Sequence, residues 1–471
     1  MQKDEYIKTV WLKKRADTQC SNRVLFNIAV PVILASASVT LLNIIDTIML
    51  GQYNSTALAS VGIAGTAFGI LGVFAAAASV GINALIAQSL GANDEKSAGR
   101  YAWTGIISGF VLGLFVTILW FFLNEPVLKF LGAKEELFSQ ANTYLSIVKF
   151  TIVFGIAAGM WKSILNANSF TKPLLIHTII INIIHVILNI ILIYGKFGFP
   201  ELGVKGAAVS TLVSSLIGFL YIIRITVVHR KKLQLQYIAT PEEMFDSIPR
   251  VVKYSMPTLI EWGIWTLGIF FVNKYIVEYG PKQLALYHIC MKVQGLFMLA
   301  LSGFTSASLT LVGRSYGAKN AYYVYAWNKR ILAISLTIVS IGMLTCFLFP
   351  RNVLMIFLKT VEIDSLGVNI SLIMALNGIL LPLRTINVVS SSGLRAVGDI
   401  SYFMKVQPFG LFIVVFLSWY FLSYIKIGIV GVFYAMMIDE AVRAVLIILR
   451  FKNLAYRFFL SFHTDDLKAV V

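Results

Sequence analysis

The sequence predicts an all-α membrane protein: twelve transmembrane helices in two pseudo-symmetric six-helix bundles. Three observations carry that prediction. Hydrophobic residues make up 58% of the 471 residues and charged residues 13%, with a mean hydropathy of +0.81. The apolar residues gather in runs long enough to cross a bilayer. The second half of the chain repeats landmarks of the first in the same order.

A soluble protein of this composition would leave much apolar surface in water, which is unfavourable. A bilayer removes the problem, since its hydrocarbon core of roughly 30 Å is crossed by about 20 mainly apolar residues in a helix. Twelve runs qualify: 25–49, 59–90, 101–123, 143–167, 173–194, 203–227, 251–278, 284–313, 330–349, 367–391, 402–424 and 427–449. None shows the alternation of a barrel strand, so helices are the spanning form.

The formal charge of +17 does not point to nucleic acid, because the basic residues follow the loops. They gather at Lys13, Lys14, Arg15 and Arg23, at Lys96 and Arg100, at Lys162 and Lys172, and at Arg230, Lys231, Lys232 and Arg250. They return at Arg314, Lys319 and Arg330, at Arg395 and Lys405, and at Arg450, Lys452 and Arg457. The intervening loops hold fewer, among them Lys129, Lys134, Lys196, Lys282 and Lys359. An excess of Lys and Arg marks cytoplasmic loops, so both termini and the 228–250 loop are expected inside. The polar first 23 residues do not read as a cleavable signal peptide. Cys20, Cys290 and Cys346 imply no disulfide framework.

The repeat is read from paired landmarks. Pro31, Leu58 and Leu90-Gly91-Ala92 return at an offset of 226 as Pro257, Leu284 and Tyr316-Gly317-Ala318. Tyr101-Ala102-Trp103 recurs as Tyr325-Ala326-Trp327, and Gly203-Val204-Lys205-Gly206 as Gly428-Ile429-Val430-Gly431. Six spans per half give both halves one orientation, a common transporter plan with substrate bound between the repeats. The expected organisation is a segment 1–24, a bundle 25–227, a linker 228–250 containing Thr240-Pro241-Glu242-Glu243, a bundle 251–450 and a tail 451–471.

An ionisable residue inside a span is costly and is a functional candidate by default. Asp46 sits toward the end of the first run. It either reaches water as an end-of-helix carboxylate or faces a cavity, and Met49 and Leu50, which continue the apolar run, favour the cavity. Asn182, His185 and Asn189 share one face of the fifth span. That stripe serves either interhelical hydrogen bonding or a site, and His185 adds a group that titrates near neutral pH. Glu261 lies one turn from Trp265, either as an acid snorkelling out beside an interfacial tryptophan or as a pairing that suits an organic cation through charge and cation–π attraction, and its depth in the span favours the second. Lys149, Lys292 and Arg384 also fall in or near apolar runs as counter-charges, and Asp439, Glu440 and Arg443 read as a local ion-pair cluster. No phosphate-binding glycine loop with a following Lys-Ser/Thr is present, which disfavours an ATP-driven pump, and His and Cys do not show metal-ligand spacing.

At several of these places the chain resembles the multidrug and toxic compound extrusion (MATE) family of bacterial antiporters. The resemblance rests on Asn43-Ile-Ile-Asp46-Thr-Ile-Met-Leu-Gly51, Ala87-Gln88-Ser89-Leu90-Gly91-Ala92, Leu165-Asn166-Ala167, and the stretch from Gly198 to Gly206. The second half adds Gly313 to Ala318, and the stretch from Ser392 to Asp399, which is similar to the family's Leu-Arg-Ala-Gly-Gly-Asp signature. The resemblance implies twelve helices in two bundles and export of amphipathic organic cations, by alternating access, in exchange for protons or sodium ions. It makes Asp46 the first-helix acid and Glu261 the seventh-helix acid of one subgroup.

The chain also departs from the family. Where members with an amino-terminal cation site carry Asn and, four residues on, Asp, this sequence has His185 and Asn189. Tenth-helix carboxylates of another subgroup are replaced by Arg384 and Asn387.

The expectation is a transporter and not an enzyme, without cofactor, in the bacterial inner membrane and acting as a monomer. Asp46, Asn182, His185 and Asn189 are assigned to coupling, and Asp46, Glu261 and Trp265 to substrate. No metal ligand is assigned; sodium at Asp46 is the alternative to a proton. The rival function is a flippase for lipid-linked sugars or another amphiphile, which calls for a basic cavity.

Overall fold

In lipid a chain must satisfy every backbone polar group internally, and runs this apolar do so as helices. The computed structural model describes residues 20–131, 133, 135–357 and 367–462, without the side chains of 67, 69–76, 281, 400, 401, 403 and 404. Lys13, Lys14, Arg15, Lys134, Lys359 and residues 463–471 of the expected tail lie outside the described residues. The first seven helices are α1 Asn22–Tyr53, α2 Ser55–Gly91, α3 Glu95–Phe130, α4 Glu135–Val148, α5 Thr151–Ala167, α6 Lys172–Tyr194 and α7 Gly203–Val228. The next five are α8 Pro241–Val277, α9 Pro281–Gly317, α10 Ala321–Leu348, α11 Pro350–Met355 and α12 Ile370–Ala396. Last come α13 Ile400–Trp419, which runs into a π-helical turn Tyr420–Tyr424, and α14 Ile429–Phe462.

Among the described residues nine helices (α1, α3, α6 to α10, α12 and α13) are long and apolar enough to cross a membrane, and α4 with α5 makes a tenth span. The remaining two expected runs are covered by α2 and by α14, whose apolar stretch carries Asp439, Glu440 and Arg443. The expected single run 143–167 is broken by a 49° bend between α4 and α5. Neither Pro nor Gly stands at Lys149-Phe150. Instead the ladder tightens there, with Phe150 N bonded to the Ile147 carbonyl and Ile152 N to the Lys149 carbonyl (both 3.2 Å). The Thr151 hydroxyl donates to the Val148 carbonyl at 2.7 Å. Hydroxyls inserted into the helix ladder are a recognised cause of kinks.

The repeated landmarks are repeated local structure. Asn93 and Lys319 both adopt left-handed backbone (φ 56° and 53°), and the residue after each caps the next helix. The Asp94 carboxylate accepts from Ser97 N (2.9 Å), and the Asn320 amide oxygen accepts from Tyr323 N (3.2 Å). This side-chain capping satisfies backbone donors that a helix start leaves orphaned. Hydrogen bonds from the Ser97 side chain and amide hold the Asp94 carboxyl below the usual carboxylate range.

The same logic moves the start of α8 into the segment expected as linker. Thr240 Oγ1 accepts from Glu243 N (3.3 Å) while Glu243 Oε2 accepts from Thr240 N (3.1 Å), a reciprocal capping box with Pro241 at the first helical position. Glu243 also accepts the Tyr237 hydroxyl (2.5 Å) and pairs with Lys96 (3.4 Å). The Tyr237 hydroxyl first, then the Thr240 amide, hold the Glu243 carboxyl below the ordinary glutamate range.

By contacts the chain divides into two units, one of Val30–Leu90 and Asp94–Met256, the other of Pro257–Val471 with Met1–Ala29 and Gly91–Asn93. The start of α1 belongs with the second unit because Arg330 Nε donates to Asn22 Oδ1 (2.9 Å) and Phe26 meets the Phe304 ring edge-on. The first unit packs Ile82, Leu85, Trp120, Leu145, Met160, Trp161 and Phe219 in its core; the second packs Tyr287, Val293, Cys346, Met374, Leu380 and Phe433.

Lipid tails are as apolar as these side chains, so close fit rather than water exclusion holds the helices, and small residues at contacts matter. A Cβ on Gly206 would lie 2.4 Å from the Leu192 carbonyl oxygen, and one on Gly431 would lie 2.5 Å from Phe421 Cβ. Gly155 has nothing within 4 Å of that position. Gly206→Ala is therefore expected to destabilise the purified protein by about 1–3 kcal/mol, seen as a lower thermal midpoint in detergent, with Gly155→Ala as the unaffected control. Equal midpoints for the two variants would contradict this close approach.

Candidate functional site

The first unit holds the site that the polar stripe on α6 announces. Pro173 near the start of α6 and left-handed Gly195 at its end bound a regular helix, so Asn182, His185 and Asn189 keep one face. That face lies along α1. Asn182 Nδ2 donates to the Ser38 carbonyl and to Ser38 Oγ (both 2.8 Å). Two turns further along both helices, Asn189 Nδ2 donates to Asp46 Oδ1 (2.8 Å), and the Tyr194 hydroxyl donates to the Met49 carbonyl (2.7 Å). Three contacts in ascending order on both helices require α1 and α6 to run parallel there.

His185 completes the centre. Its Nε2 stands 3.2 Å from Asp46 Oδ2 and its Nδ1 stands 3.2 Å from Ser214 Oγ on α7. The imidazole side chain is 8% exposed but the Asp46 side chain is 26% exposed, so the carboxylate is the group solvent can reach. Asn189 is buried, and its Oδ1 has no hydrogen-bond partner among the described residues. Tyr144, from α4, lies near Asp46 and near Thr211 on α7.

Of the residues assigned to coupling, His185 and Asn189 thus meet Asp46 directly. Asn182 instead ties α6 to Ser38. Ser38, Ser214 and Tyr144 join the site without having been singled out by the sequence. Ser210 and Ser214 stand four apart on α7 and so share a face, which is the signal that would have found Ser214.

Hard cations take oxygen ligands, yet both Asp46 oxygens face nitrogen groups, Asn189 Nδ2 and His185 Nε2. Among the described residues no three His, Cys, Asp or Glu gather as a metal cluster.

The acids of the second unit are differently held. Glu261 accepts from Arg395 NH2 (2.5 Å) and Gln407 Nε2 (3.2 Å). Asp439 pairs with Arg443 through two bonds (2.7 and 2.5 Å). Glu440 accepts from Arg384 Nε (2.9 Å) and Asn387 Nδ2 (2.5 Å) and lies 3.2 Å from Arg443. Arg384 also donates to Gln294, whose Nε2 bonds Asn377 Oδ1 (2.6 Å). A pocket opens beside this network, with Trp265 and Tyr287 on its walls and Arg384, Asp439, Glu440 and Arg443 at its polar end. Trp265 lines it; Glu261, one turn away, is spent on Arg395. Lys149 stacks over the Phe121 ring (3.5 Å to its centroid), and Lys292 is exposed.

This architecture can be set against known proteins. A family model described as MatE matches residues 31–191 and 256–421, which takes in both halves and, at the site, Asp46, Asn182, His185 and Asn189. The chain belongs to the MatE family. As a MatE protein it is a multi-pass membrane transporter of small molecules and not an enzyme.

Similar MatE relatives include an uncharacterized transporter, YisQ, of Bacillus subtilis, 26% identical over 458 residues, covering 96% of this chain and 98% of that one. A probable multidrug resistance protein NorM of Thermotoga maritima is 27% identical over 437 residues, 91% of each chain. An outward-facing structure of a multidrug resistance MATE family transporter aligns with a TM-score of 0.84 at 20% identity, over 92% of this chain and 96% of that one. That likeness shows the all-α MatE fold.

Proposed function

We propose that this MatE transporter exports amphipathic organic cations by alternating access and couples export to proton uptake at Asp46. One observation carries the reading. Of the four carboxylates placed within the apolar stretches, Asp46, Glu261, Asp439 and Glu440, only Asp46 has no arginine partner among the described residues; its ionic partner is His185. A guanidinium beside a carboxylate favours its ionised form. One that faces an imidazole, and is more open to solvent than the other three, can gain and lose a proton.

Protonation from outside neutralises the pair and releases a bound cation. Deprotonation toward the cytoplasm restores the charge that binds the next one. In this reading the chain acts as a monomer in the cytoplasmic membrane with both termini inside. The flippase alternative asks for guanidinium groups free to cradle phosphate. Arg384, Arg395 and Arg443 are instead each bound to a carboxylate, so the second-unit pocket is balanced rather than basic.

The test is accumulation of ethidium in inside-out vesicles under separately imposed proton and sodium gradients. A proton gradient alone is expected to drive uptake, and a sodium gradient alone is not. Sodium-driven uptake would overturn the coupling assignment, and no uptake under either gradient would bring the flippase forward.

A further inference from the structure

The contacts of His185 restrict how many protons its site can hold. Ser214 Oγ is 3.2 Å from the carbonyl of Thr211, one turn back on α7, and 3.2 Å from His185 Nδ1. A hydroxyl has one hydrogen and cannot serve both. If that hydrogen points to Thr211, the serine meets His185 with a lone pair, and Nδ1 must carry a proton to donate. His185 Nε2 then faces Asp46 Oδ2, and the two attract only with a proton between them. The pair holds two protons and no net charge, as imidazolium with carboxylate or, after transfer across the contact, as neutral imidazole with carboxylic acid.

If the hydroxyl turns to Nδ1, that nitrogen is bare and accepts. Nε2–H still donates to Asp46, and the pair holds one proton and a charge of minus one. The contacts of His185 with Ser214 and with Asp46 are satisfied in both arrangements, the Ser214–Thr211 bond is made only in the first, and the two differ by one proton.

We infer that Asp46, His185 and Ser214 form a store for a single proton, in which the Ser214 hydroxyl is the positioning group that turns between two acceptors. The inference rests on the proton-coupled reading of Asp46 and deepens it. The loaded store is neutral and the empty store is singly negative, so one proton and one monovalent organic cation compete for the same unit of charge. The surrounding groups do not blur that count. Tyr144 faces the store from α4, Thr211 and Ser214 from α7, Asn189 from α6, and among the described residues Asp46 makes no ion pair with Lys or Arg.

Removing the hydroxyl harms the loaded form more. A hydrogen bond from a charged donor is roughly twice as strong as one between neutral groups, so Ser214→Ala weakens proton loading more than it weakens the empty form. A tenfold loss of proton affinity is a shift of about one pH unit.

The experiment is calorimetry of ethidium binding to the purified full chain in buffers of different ionisation enthalpy, across pH. The wild type is expected to release one proton per ethidium at low pH and none at high pH. In Ser214→Ala the midpoint of that change falls by about one unit, and Ser214→Thr, which keeps a hydroxyl, restores it. Nitrogen-15 spectra of His185, assigned by difference with His185→Gln, give an independent reading: Nδ1 protonated below the midpoint, and bare above it with the ring proton on Nε2. An unmoved midpoint in Ser214→Ala, or an Nδ1-protonated neutral ring above the midpoint, overturns the role of Ser214 alone. Ethidium binding by the wild type without proton release at any pH overturns the coupling reading as well.

Discussion

Asp46→Asn is expected to reduce gradient-driven efflux to the level of vesicles without the protein, while expression and thermal midpoint stay near those of the parent. The substitution keeps the side-chain shape, and the site has a way to accept it. The amide nitrogen introduced opposite His185 finds an acceptor if the imidazole carries its proton on Nδ1 and donates it to Ser214. The variant then imitates the proton-loaded pair. Folding is spared, since no buried polar group loses its partner. Cation binding is not, because the missing charge is worth between about 1 and 4 kcal/mol at about 4 Å, depending on local screening. Ethidium affinity should fall by a factor between about five and several hundred. Transport assays and direct binding check the two halves of this expectation, and preserved efflux would move the coupling group elsewhere.

Arg384→Met is expected to be the most destabilising of the exchanges considered, by about 3–5 kcal/mol, the range for breaking a buried ion pair from one side. Its removal strands Glu440 with a reduced set of donors and leaves Gln294 without the guanidinium it accepts from. Arg443, 3.2 Å from Glu440, cannot replace it because its two best bonds are committed to Asp439. Adding Glu440→Gln to Arg384→Met removes the stranded charge and should recover much of the loss. Thermal unfolding of wild type, both single variants and the double variant measures the coupling. A double variant no more stable than Arg384→Met alone would show that the pair is not what holds this part of the bundle.

Much of this was legible in the sequence because lipid imposes simple rules. Apolar runs of span length must be helical, and an amide–imidazole–amide stripe at helical spacing must find company. Asp46 and the face carrying His185 and Asn189 followed from that. Partner choice did not. Glu261 and Arg395 are 134 positions apart, and no local pattern joins them. Ser214 was hidden for another reason: a serine within a span usually bonds its own helix, as this one does with Thr211, so its second contact leaves no trace in composition. The bend at Lys149-Phe150 carries no Pro or Gly to announce it. The start of α8 was announced, by Thr240 and Glu243, but by a capping signal rather than by hydropathy.

The parallel seam between α1 and α6 separates alignment from chemistry. Its outer contacts end on the main-chain carbonyls of Ser38 and Met49 and on the Ser38 hydroxyl, none of which carries charge. Only the middle contact, at Asp46, carries charge. His185 and Asn189 therefore sit as a replaceable cartridge in a fixed housing: exchanging them changes the groups that face the carboxylate while the two flanking contacts that align the helices stay in place.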